Sequence, residues 1–329
     1  MANSIPIDIK WGIIGCGDVT EVKSGPAFNK VPGSKLVAVM RRNAAKAKDY
    51  AERHGVPKWY DDGYQLINDP EVDAVYVATP PASHEEYAVA AMRAGKPVYV
   101  EKPMSTQVED CIRMRDVAAS TGVKLTVAHY RRAVPMFMKV KQLIDEHEVG
   151  AIRTILLRTL QPATRNLQPD SYWRVDPQLG GPGGLFYDLA PHQLDLMVHY
   201  FGPVEEVYGM SANQAGLYRS RDIVSGMVRF SNNIIFSGTW CFTVAEELKE
   251  DKCEIIGSQG KIEFPIFGNR ITVQKGTEIQ ELVFEHPQHI QQPMIEQIVR
   301  YFSGNGPNPC SADQAIESMM LMEKFVSGK

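Results

Sequence analysis

The first part of the chain alternates short apolar runs with longer segments of helical periodicity. Short apolar runs bounded by turn residues indicate buried strands, and an alternation of such strands with helices is typical of βαβ units around a parallel sheet. The predicted strands are Ile9–Ile14, Leu36–Val39, Ala74–Ala78, Val98–Val100 and Leu125–Ala128. Residues 1–128 are therefore predicted to form an α/β domain with a doubly wound parallel sheet of the Rossmann type, whose ligand lies at the carboxyl ends of the strands.

Glycine and hydroxyl residues mark the ends of the helices in this part. Ser83 with Glu86, and Thr106 with Glu109, fit the capping box of a helix start. Three glycines stand where a helix ends in the left-handed conformation that glycine adopts most easily, namely Gly55, Gly95 and Gly122.

After Val149 the pattern changes to strand-like runs separated by turn pairs such as Asn232-Asn233, which is typical of hairpins. The predicted strands are Ile152–Leu160, Val204–Ser211, Asp222–Phe230, Ile234–Phe242, Lys252–Ile256, Lys261–Phe264, Arg270–Val273 and Gln280–Phe284. Helices are predicted at about Leu185–Tyr200, Gln291–Phe302 and Ala312–Val326. Residues 129–329 are therefore predicted to form a C-terminal α+β domain with a large, mostly antiparallel, open-faced sheet and helices, which can cover the open crevice of the first domain and bind substrate there.

Composition narrows the function classes. The 329 residues carry 35 basic and 39 acidic side chains, so the net charge of -4 gives no chain-wide attraction to nucleic acid or an anionic membrane. No apolar stretch reaches the roughly 18 residues of a membrane span, and the N-terminus lacks the apolar region of a signal peptide, so we expect a cytoplasmic protein. The five cysteines show no CxxC pattern and the histidines no HExxH, so we expect free thiols and no metal site.

A nucleotide-binding fingerprint follows the first strand in the segment WGIIGCGDVT. Gly15, Gly17 and Thr20 occupy the three positions of the pattern G-x-G-x-x-G, although Thr20 replaces the small third residue. The first glycine permits a tight turn, and the second lets the backbone approach a pyrophosphate at the start of the next helix. This position in a βαβ chain predicts a dinucleotide bound by the loop and by Asp18, Val19 and Thr20.

The end of the second strand bears on the choice of dinucleotide. An NAD site places an Asp or Glu there, to bind the ribose 2′-hydroxyl. Here the chain reads Met40-Arg41-Arg42-Asn43, and guanidinium groups suit a 2′-phosphate. We therefore predict NADP, with NAD less favoured; the alternative is that Arg41 and Arg42 are merely solvated loop residues.

Two further segments carry candidate chemistry. Glu101-Lys102-Pro103 ends a strand at the ligand-binding edge of the first domain, and Asp188 and His192 lie four residues apart after a glycine-rich stretch. On a helix this spacing places both side chains on one face, where a carboxylate can orient an imidazole that acts as acid or base. Pro191 leaves a second interpretation open, in which the helix begins only at about Ala190 and Asp188 lies on the preceding loop.

With these segments in view, the chain resembles the Gfo/Idh/MocA family, named after glucose-fructose oxidoreductase, inositol dehydrogenase and a rhizopine-catabolism protein. The resemblance spans almost the whole chain, including Ala78-Thr79-Pro80-Pro81-Ala82-Ser83-His84 and Glu101-Lys102-Pro103. It implies that Lys102 hydrogen-bonds the reacting hydroxyl, that His192 is the base, and that Asp188 orients substrate and imidazole. It also implies a cis bond between Lys102 and Pro103.

The resemblance also implies further binding positions. Those that would line the cofactor are Thr79, Pro80, His84, Glu101, Lys102, Trp173 and Arg174. Tyr130 and Arg131 are candidates for contact with the substrate. Family members commonly assemble through the second-domain sheet, so a homodimer or homotetramer is expected.

The leading hypothesis is an NADP-dependent oxidoreductase acting on a secondary hydroxyl or ketone of a sugar, polyol or cyclic diol. Few charged residues stand near the predicted site residues, which suits a neutral, carbohydrate-like small molecule. Two alternatives remain: an NAD-dependent glycosidase of the same family, and a non-catalytic regulator that binds the dinucleotide. Lys102, Asp188 and His192 together argue against the regulator, and Arg41-Arg42 argues mildly against the glycosidase.

Overall fold

The computed structural model describes residues 8–163 and 172–328. These residues divide into two compact units. The first comprises the described residues up to Ser105, with Glu109–Tyr130 and Pro287–Ala315; the second comprises Thr106–Val108, Arg131–His286 and the described residues from Ile316. The chain leaves the first unit for the long segment of the second after Tyr130, and the segment 287–315 returns to the first unit.

Strands and helices follow the predicted positions closely. The strands are β1 (Ile9–Ile14), β2 (Ser34–Met40), β3 (Lys58–Tyr60), β4 (Ala74–Val77), β5 (Val98–Val100), β6 (Leu125–Val127), β7 (Ile152–Pro162), β8 (Val204–Ala212), β9 (Ile223–Phe230), β10 (Ile235–Val244), β11 (Glu250–Gly257), β12 (Lys261–Phe264), β13 (Arg270–Lys275) and β14 (Glu278–Val283). The helices are α1 (Asp18–Val22), α2 (Ala44–His54), α3 (Gly63–Asn68), α4 (His84–Arg93), α5 (Val108–Thr121), α6 (Pro135–Asp145), α7 (Leu185–Phe201), α8 (Gln292–Phe302) and α9 (Ala312–Ser327).

The first unit is built on a parallel sheet with the strand order β3-β2-β1-β4-β5-β6. This is the order of a Rossmann dinucleotide-binding domain, so the predicted fold class is confirmed. Sequence reasoning missed β3, because its three residues Lys58–Tyr60 contain a lysine and no apolar run. Gly55, Gly95 and Gly122 have φ angles of 65°, 78° and 69°, as predicted for helix ends.

The predicted capping box at Ser83 is not formed. The Ser83 hydroxyl instead donates to Thr79 Oγ1 and to the carbonyl of Pro80, at 2.9 and 3.0 Å. The chain makes a 3₁₀ turn over Pro81–Ser83 before α4, which turns this hydroxyl back toward the preceding loop.

Helix α8 belongs to the first unit because its residues pack on that unit's core. Trp11 is fully buried in β1, and its ring stacks 5.5 Å from the ring of Phe302 in α8. Lys124 Nζ donates to the carbonyls of Tyr301 and Phe302, at 2.8 and 3.0 Å. The last carbonyl groups of α8 have no partner within the helix, and Lys124 donates hydrogen bonds to two of them.

The second unit contains an eight-stranded sheet with the order β14-β13-β12-β11-β7-β10-β9-β8. Neighbouring strands are antiparallel except β7 and β10, as predicted for a mostly antiparallel sheet. Helix α9 packs on one face, where Cβ atoms at Gly209 and Gly226 would lie 2.3 and 2.4 Å from Phe325. The described strands of this sheet expose Leu156, Tyr208, Met210, Met227 and Ile235, together with Ile279 and Val283 of the edge strand β14.

Helix α6 is an element that sequence reasoning missed. Proline at its first position suits a helix start, and Phe137, Val140 and Ile144 are buried at helical spacing. All five cysteines are free thiols, as predicted. Within residues 8–163 and 172–328, no helix is long and apolar enough to cross a membrane, and no cluster of side chains could hold a metal ion.

Candidate functional site

The glycine-rich loop follows β1 and touches the chain after β4. Gly15 has a φ of 95°, and a Cβ on it would lie 2.7 Å from the backbone nitrogen of Thr79, so only glycine fits. The N–H groups of Gly15 and Cys16 donate to the carbonyl of Met40 at 2.9 and 3.0 Å. These bonds join the loop to the end of β2.

The outer side of the loop is open. A Cβ on Gly17 would meet no atom closer than 3.9 Å. The N–H groups of Gly17, Asp18 and Val19 have no hydrogen-bond partner among the described residues, as expected for the first turn of a helix. Such N–H groups can donate to the pyrophosphate of a dinucleotide, so this loop fits the cofactor.

Thr20 faces the inside of the same loop. Its side chain is fully buried, its hydroxyl donates to the carbonyl of Gly17 at 2.8 Å, and its own carbonyl accepts the Tyr50 hydroxyl at 2.8 Å. The departure from glycine at the third fingerprint position is thus accommodated, because the extra hydroxyl has a partner.

The two arginines after β2 differ in their surroundings. Arg41 Nη1 donates to the carbonyl of Cys16 at 3.3 Å, which places the guanidinium against the glycine-rich loop. Arg42 is exposed. Cationic groups therefore stand where a 2′-phosphate on the adenosine ribose binds in this fold.

His84 connects the chain segments that follow β4 and β5. Its ring is fully buried, with Nε2 2.7 Å from the carbonyl oxygen of Thr79 and Nδ1 3.0 Å from that of Pro103. Burial lowers the pKa of His84, and the two carbonyls oppose that shift because they favour the protonated ring. Pro80 immediately precedes the 3₁₀ turn Pro81–Ser83. The Lys102-Pro103 bond is cis, as the resemblance implied.

Glu101 lies in a buried hydrogen-bond network beneath Lys102. Its Oε1 accepts from the Tyr76 hydroxyl at 2.6 Å and from Gln291 Nε2 at 2.7 Å, and its Oε2 accepts from the Lys102 N–H at 3.0 Å. Gln291 is itself held by the Tyr99 hydroxyl, at 2.9 Å. The Glu101 side chain thus fixes the backbone of Lys102 from within the first unit, a role that sequence reasoning did not assign to it.

Sequence reasoning also missed Tyr76 and Gln291. Gln291 stands 190 residues after Glu101 and immediately before α8, where nothing in the local pattern points to the first unit. A glutamate buried without hydrogen-bond donors would destabilise the fold, so a glutamate predicted to be buried implies that donors exist but does not identify them.

In the second unit, α7 begins at Leu185 and contains Pro191, Asp188 and His192. The interpretation with Asp188 inside the helix is therefore the correct one. Four residues correspond to about one helical turn, so the two side chains lie on the same face. The glycines before α7 enclose Tyr187, since a Cβ at Gly181 or Gly183 would lie 2.4 Å from its ring.

Asp188 has a cationic partner. Arg174 Nε donates to Asp188 Oδ2 at 3.0 Å, and the side chains are 27% and 24% exposed respectively. The Arg174 guanidinium also lies 4.5 Å from the ring centre of Trp173. Trp173 and Arg174, predicted to line the cofactor, are thus placed beside the predicted catalytic carboxylate.

His192 and Arg131 share an aromatic neighbour in Phe267. The Phe267 ring lies 5.9 Å from the His192 ring at an angle of 79°, and the Arg131 guanidinium lies 4.5 Å from its centre. Both His192 and Arg131 are largely buried. With Arg174, two guanidinium groups stand close to the predicted residues of the second unit, which is more charge than the sequence suggested. Tyr130, the other substrate candidate, is buried in the first unit.

Buried polar contacts fix α7 to the rest of its unit. Gln193 Nε2 donates to Thr159 Oγ1, and Trp240 Nε1 donates to Gln193 Oε1, both at 2.6 Å. Asp195 receives two hydrogen bonds from Arg132, at 2.7 and 2.8 Å. Asp195 therefore has a partner 63 residues away in the chain.

Comparison with known proteins agrees with this geometry. Residues 9–129 match the family described as "Oxidoreductase family, NAD-binding Rossmann fold", and residues 137–263 match the "GFO/IDH/MocA C-terminal domain". Oxidoreductase P35 of Formosa agariphila is 44% identical over 319 residues, which cover 96% of this chain and 98% of the relative. The 1,5-anhydro-D-fructose reductase of Ensifer adhaerens is 29% identical over 272 residues, covering 81% and 77%.

A solved structure of levoglucosan dehydrogenase in complex with NADH has the same fold. Its TM-score is 0.87 at 20% identity, and the match covers 98% of this chain and 96% of that one. The long match to Oxidoreductase P35 and the two matching domains agree with the Rossmann strand order and the open glycine-rich loop. The chain therefore belongs to the GFO/IDH/MocA family of NAD(P)-binding oxidoreductases.

Proposed function

We propose that the protein is an NADP-dependent dehydrogenase or reductase acting on a secondary hydroxyl or ketone of a sugar, polyol or cyclic diol. The observation that carries this proposal is the placement of Asp188 and His192 one turn apart in α7, in a chain of an oxidoreductase family. A carboxylate and an imidazole on one helical face are suited to moving a proton at a hydroxyl oxygen.

Each residue has a distinct role in the proposed reaction. Lys102 donates a hydrogen bond to the substrate oxygen and stabilises negative charge that develops there. His192 takes the hydroxyl proton in oxidation and returns it in reduction. Asp188 orients the imidazole and the substrate, and Arg174 limits the movement of Asp188 through their 3.0 Å ion pair. A bound nicotinamide dinucleotide would supply the hydride acceptor for oxidation and the hydride donor for reduction.

The cofactor is proposed to bind along the carboxyl ends of the first unit's strands. The N–H groups of Gly17, Asp18 and Val19 would hold its pyrophosphate, and Arg41 and Arg42 its 2′-phosphate. Arg41 supports a preference for NADP over NAD, because its guanidinium lies against the glycine-rich loop at Cys16.

The substrate class is supported by relatives. A 1,5-anhydro-D-fructose reductase is 29% identical to this chain over 81% of its length. We propose that this chain likewise acts on a carbohydrate-like molecule.

A screen of sugars and polyols tests the reaction, with the absorbance of reduced nicotinamide as the readout. We expect turnover with NADP⁺ and a Michaelis constant at least about tenfold lower for NADP⁺ than for NAD⁺, because a 2′-phosphate gains charge-assisted bonds. Arg42→Ala should narrow that difference, while the neighbouring Asn43→Ala should leave it. A clear preference for NAD⁺ would contradict the cofactor assignment.

The catalytic assignment is tested with Lys102→Ala and His192→Asn. Each should lower kcat by about 100-fold or more with little change in cofactor affinity, because general acid–base and charge-stabilising groups contribute on this scale. Full activity in either variant would contradict the mechanism. Cleavage of aryl glycosides without added cofactor would instead favour the glycosidase alternative.

We further propose that the protein assembles as a homodimer or homotetramer through its eight-stranded sheet. The sheet presents Leu156, Tyr208, Met210, Met227 and Ile235 as exposed apolar side chains. The strand register places these five side chains on one face of the sheet, and apolar residues exposed on one face suit a protein–protein interface. Light scattering should give at least twice the 36.7 kDa mass of the chain, and a monomer would contradict the proposal.

A further inference from the structure

Phe267 is a large apolar side chain that remains 43% exposed. It lies in the turn between β12 and β13 of the second unit, and its ring contacts the rings or charged groups of His192 and Arg131. Single exposed apolar residues are common on protein surfaces and carry no message by themselves. What distinguishes Phe267 is the way its backbone is held.

The turn that carries Phe267 is anchored on both sides. Asp251 of β11 accepts hydrogen bonds from the N–H groups of Ile266 and Phe267, at 3.1 and 2.7 Å. On the far side, Nε2 of His286 lies 2.9 Å from the carbonyl oxygen of Gly268. Ile266 is fully buried and takes the core position of this turn. Phe267 therefore stays on the outer side, beside His192.

The Phe267 ring has a defined relation to its neighbours. The edge-to-face angle of 79° with the His192 ring is a favourable arrangement of two aromatic rings. The Arg131 guanidinium, 4.5 Å from the ring centre, makes a cation–π contact. Two buried polar side chains thus fix the orientation of a partly exposed aromatic ring, so its free surface is presented in a constant position.

A cyclic polyol offers such a surface a matching partner. Its hydroxyl groups project around the rim, whereas the faces of the ring consist largely of C–H groups, which are apolar. Burial of that face against an aromatic ring contributes about 25 cal/mol per Å² of apolar area. An open-chain polyol has no such preformed face and must lose more conformational freedom to present one.

We propose that Phe267 is a specificity-determining residue that selects cyclic, six-membered-ring polyols and sugars over open-chain polyols. This inference rests on the proposed function, in which His192 exchanges a proton with the substrate hydroxyl. Phe267 packs against the C–H face of the substrate ring and places the ring's hydroxyl at His192. Asp251 is a positioning residue, which acts through the backbone of Phe267.

Steady-state kinetics of the full-length protein with myo-inositol and 1,5-anhydroglucitol as cyclic probes, and sorbitol as the open-chain probe, test the inference. Phe267→Ala should lower kcat/KM for the cyclic probes by at least about tenfold, mainly through KM, with a smaller effect on sorbitol and none on the KM for NADP⁺. Phe267→Tyr keeps the planar ring and should retain selectivity, whereas Phe267→Leu should lose part of it.

Leu248→Ala is the matched control, because Leu248 is likewise an exposed apolar residue in a turn of the same unit. It should leave both classes of probe unchanged. Equal losses for cyclic and open-chain probes in Phe267→Ala, or no loss at all, would overturn the inference. So would a wild-type protein that turns over sorbitol as well as the cyclic probes, and that result would leave the proposed function intact.

Calorimetric titration separates the two failures. If the wild-type protein turns over none of the probes, the proposed function fails, and binding decides the inference. Binding of either cyclic probe that is weakened at least about tenfold by Phe267→Ala, with weaker binding of sorbitol, supports the role of Phe267. Absence of binding by the cyclic probes, or binding that Phe267→Ala leaves unchanged, overturns it.

Discussion

The surroundings of Glu101 in the first unit and of Asp188 in the second differ in how each carboxylate is held. Glu101 is 5% exposed, and Tyr76, Gln291 and the Lys102 backbone donate to its two oxygens. Asp188 is 24% exposed and pairs with an arginine of similar exposure. Hydrogen bonds from neutral donors in a buried network respond little to salt. The attraction between two partly exposed charged groups is weakened by salt, so their geometry is less firmly fixed.

This difference separates two kinds of contribution. In the Glu101 network, the geometry that fixes Lys102 is part of the folded core, so a change there should alter stability and activity together. At Asp188 the partner lies near the surface, so a change should alter activity with little effect on stability. Substitutions in both units can test whether the separation holds.

The largest effect is expected at Arg132 and Asp195, which form a buried ion pair in the second unit. Asp195→Asn leaves the Arg132 charge buried without its counter-ion and should lower the free energy of unfolding by about 3–5 kcal/mol. Urea denaturation measures this change. Asp145→Asn, which breaks an exposed pair with Lys141, is the control and should cost under about 1 kcal/mol. A loss that small in Asp195→Asn would show that α7 is anchored by other contacts.

The next effect concerns Gln291. Gln291→Leu removes a donor to Glu101 and the acceptor of the Tyr99 hydroxyl, and both groups are buried. We expect a loss of about 2 kcal/mol in unfolding free energy, because each buried group loses a partner, with a fall in kcat as Lys102 is less firmly held. Gln292→Leu is the control, since the side-chain amide of Gln292 donates to Glu296 on the exposed side of α8. Reduced stability with an unchanged kcat would mean that the network does not position Lys102.

At the partly exposed pair of Arg174 and Asp188, a substitution should change activity more than stability. Arg174→Met should lower kcat/KM by about tenfold, because Asp188 loses a restraint, while the unfolding free energy changes by less than about 1 kcal/mol. Arg174→Lys should recover part of the activity, and this recovery should weaken as salt is raised. If Arg174→Met unfolds as readily as Gln291→Leu, the two carboxylates are not held differently.

The smallest effect is a pH dependence within α7. Burial, reinforced by the charge of Arg132, lowers the pKa of His199 to about 4. The unfolded chain binds this proton at about pH 6.5, so the contribution of His199 to stability is present above that pH and is lost as the pH falls toward 4. His199→Gln should make the loss of unfolding free energy over this window smaller by about 1 kcal/mol, less than the full pKa shift implies because the ring is only partly buried and solvent screens it. Urea denaturation at pH 7, 6, 5 and 4 measures this difference. Identical pH profiles for the two proteins would contradict this role for His199.

Local sequence patterns were sufficient to locate most of the elements. In β9 and β10, the alternation of buried and exposed positions appears directly in the sequence, because successive side chains of a strand point to opposite faces. Gly15 was predictable for a similar reason, since a tight turn after β1 needs a residue that tolerates a positive φ. The three-residue strand β3 was missed, because it is too short to show a strand pattern and is defined by its hydrogen bonding to β2.

The residue types of the candidate site were also predictable, but their partners were not. Asp188 and His192 were found from their spacing, because a helix places residues four apart on one face. Arg174 beside Asp188, Phe267 beside His192 and Arg132 beside Asp195 carry no local signal. These pairs join residues that are 14 to 75 positions apart, and only the packing of the complete unit brings them together.

The sequence by itself determined the fold class, the family, the glycine-rich loop and a helix at His192, but it left two interpretations of Asp188 open. The fold class, the loop and the helix depend on short-range sterics and on the spacing of apolar residues, whereas the family follows from the resemblance of the motifs. The tertiary structure alone decided that the chain returns at 287–315 to complete the first unit, and that Gln291 completes the hydrogen bonding of Glu101. The reason is physical: a buried carboxylate must have donors, but which distant residue supplies them depends on how the whole core packs.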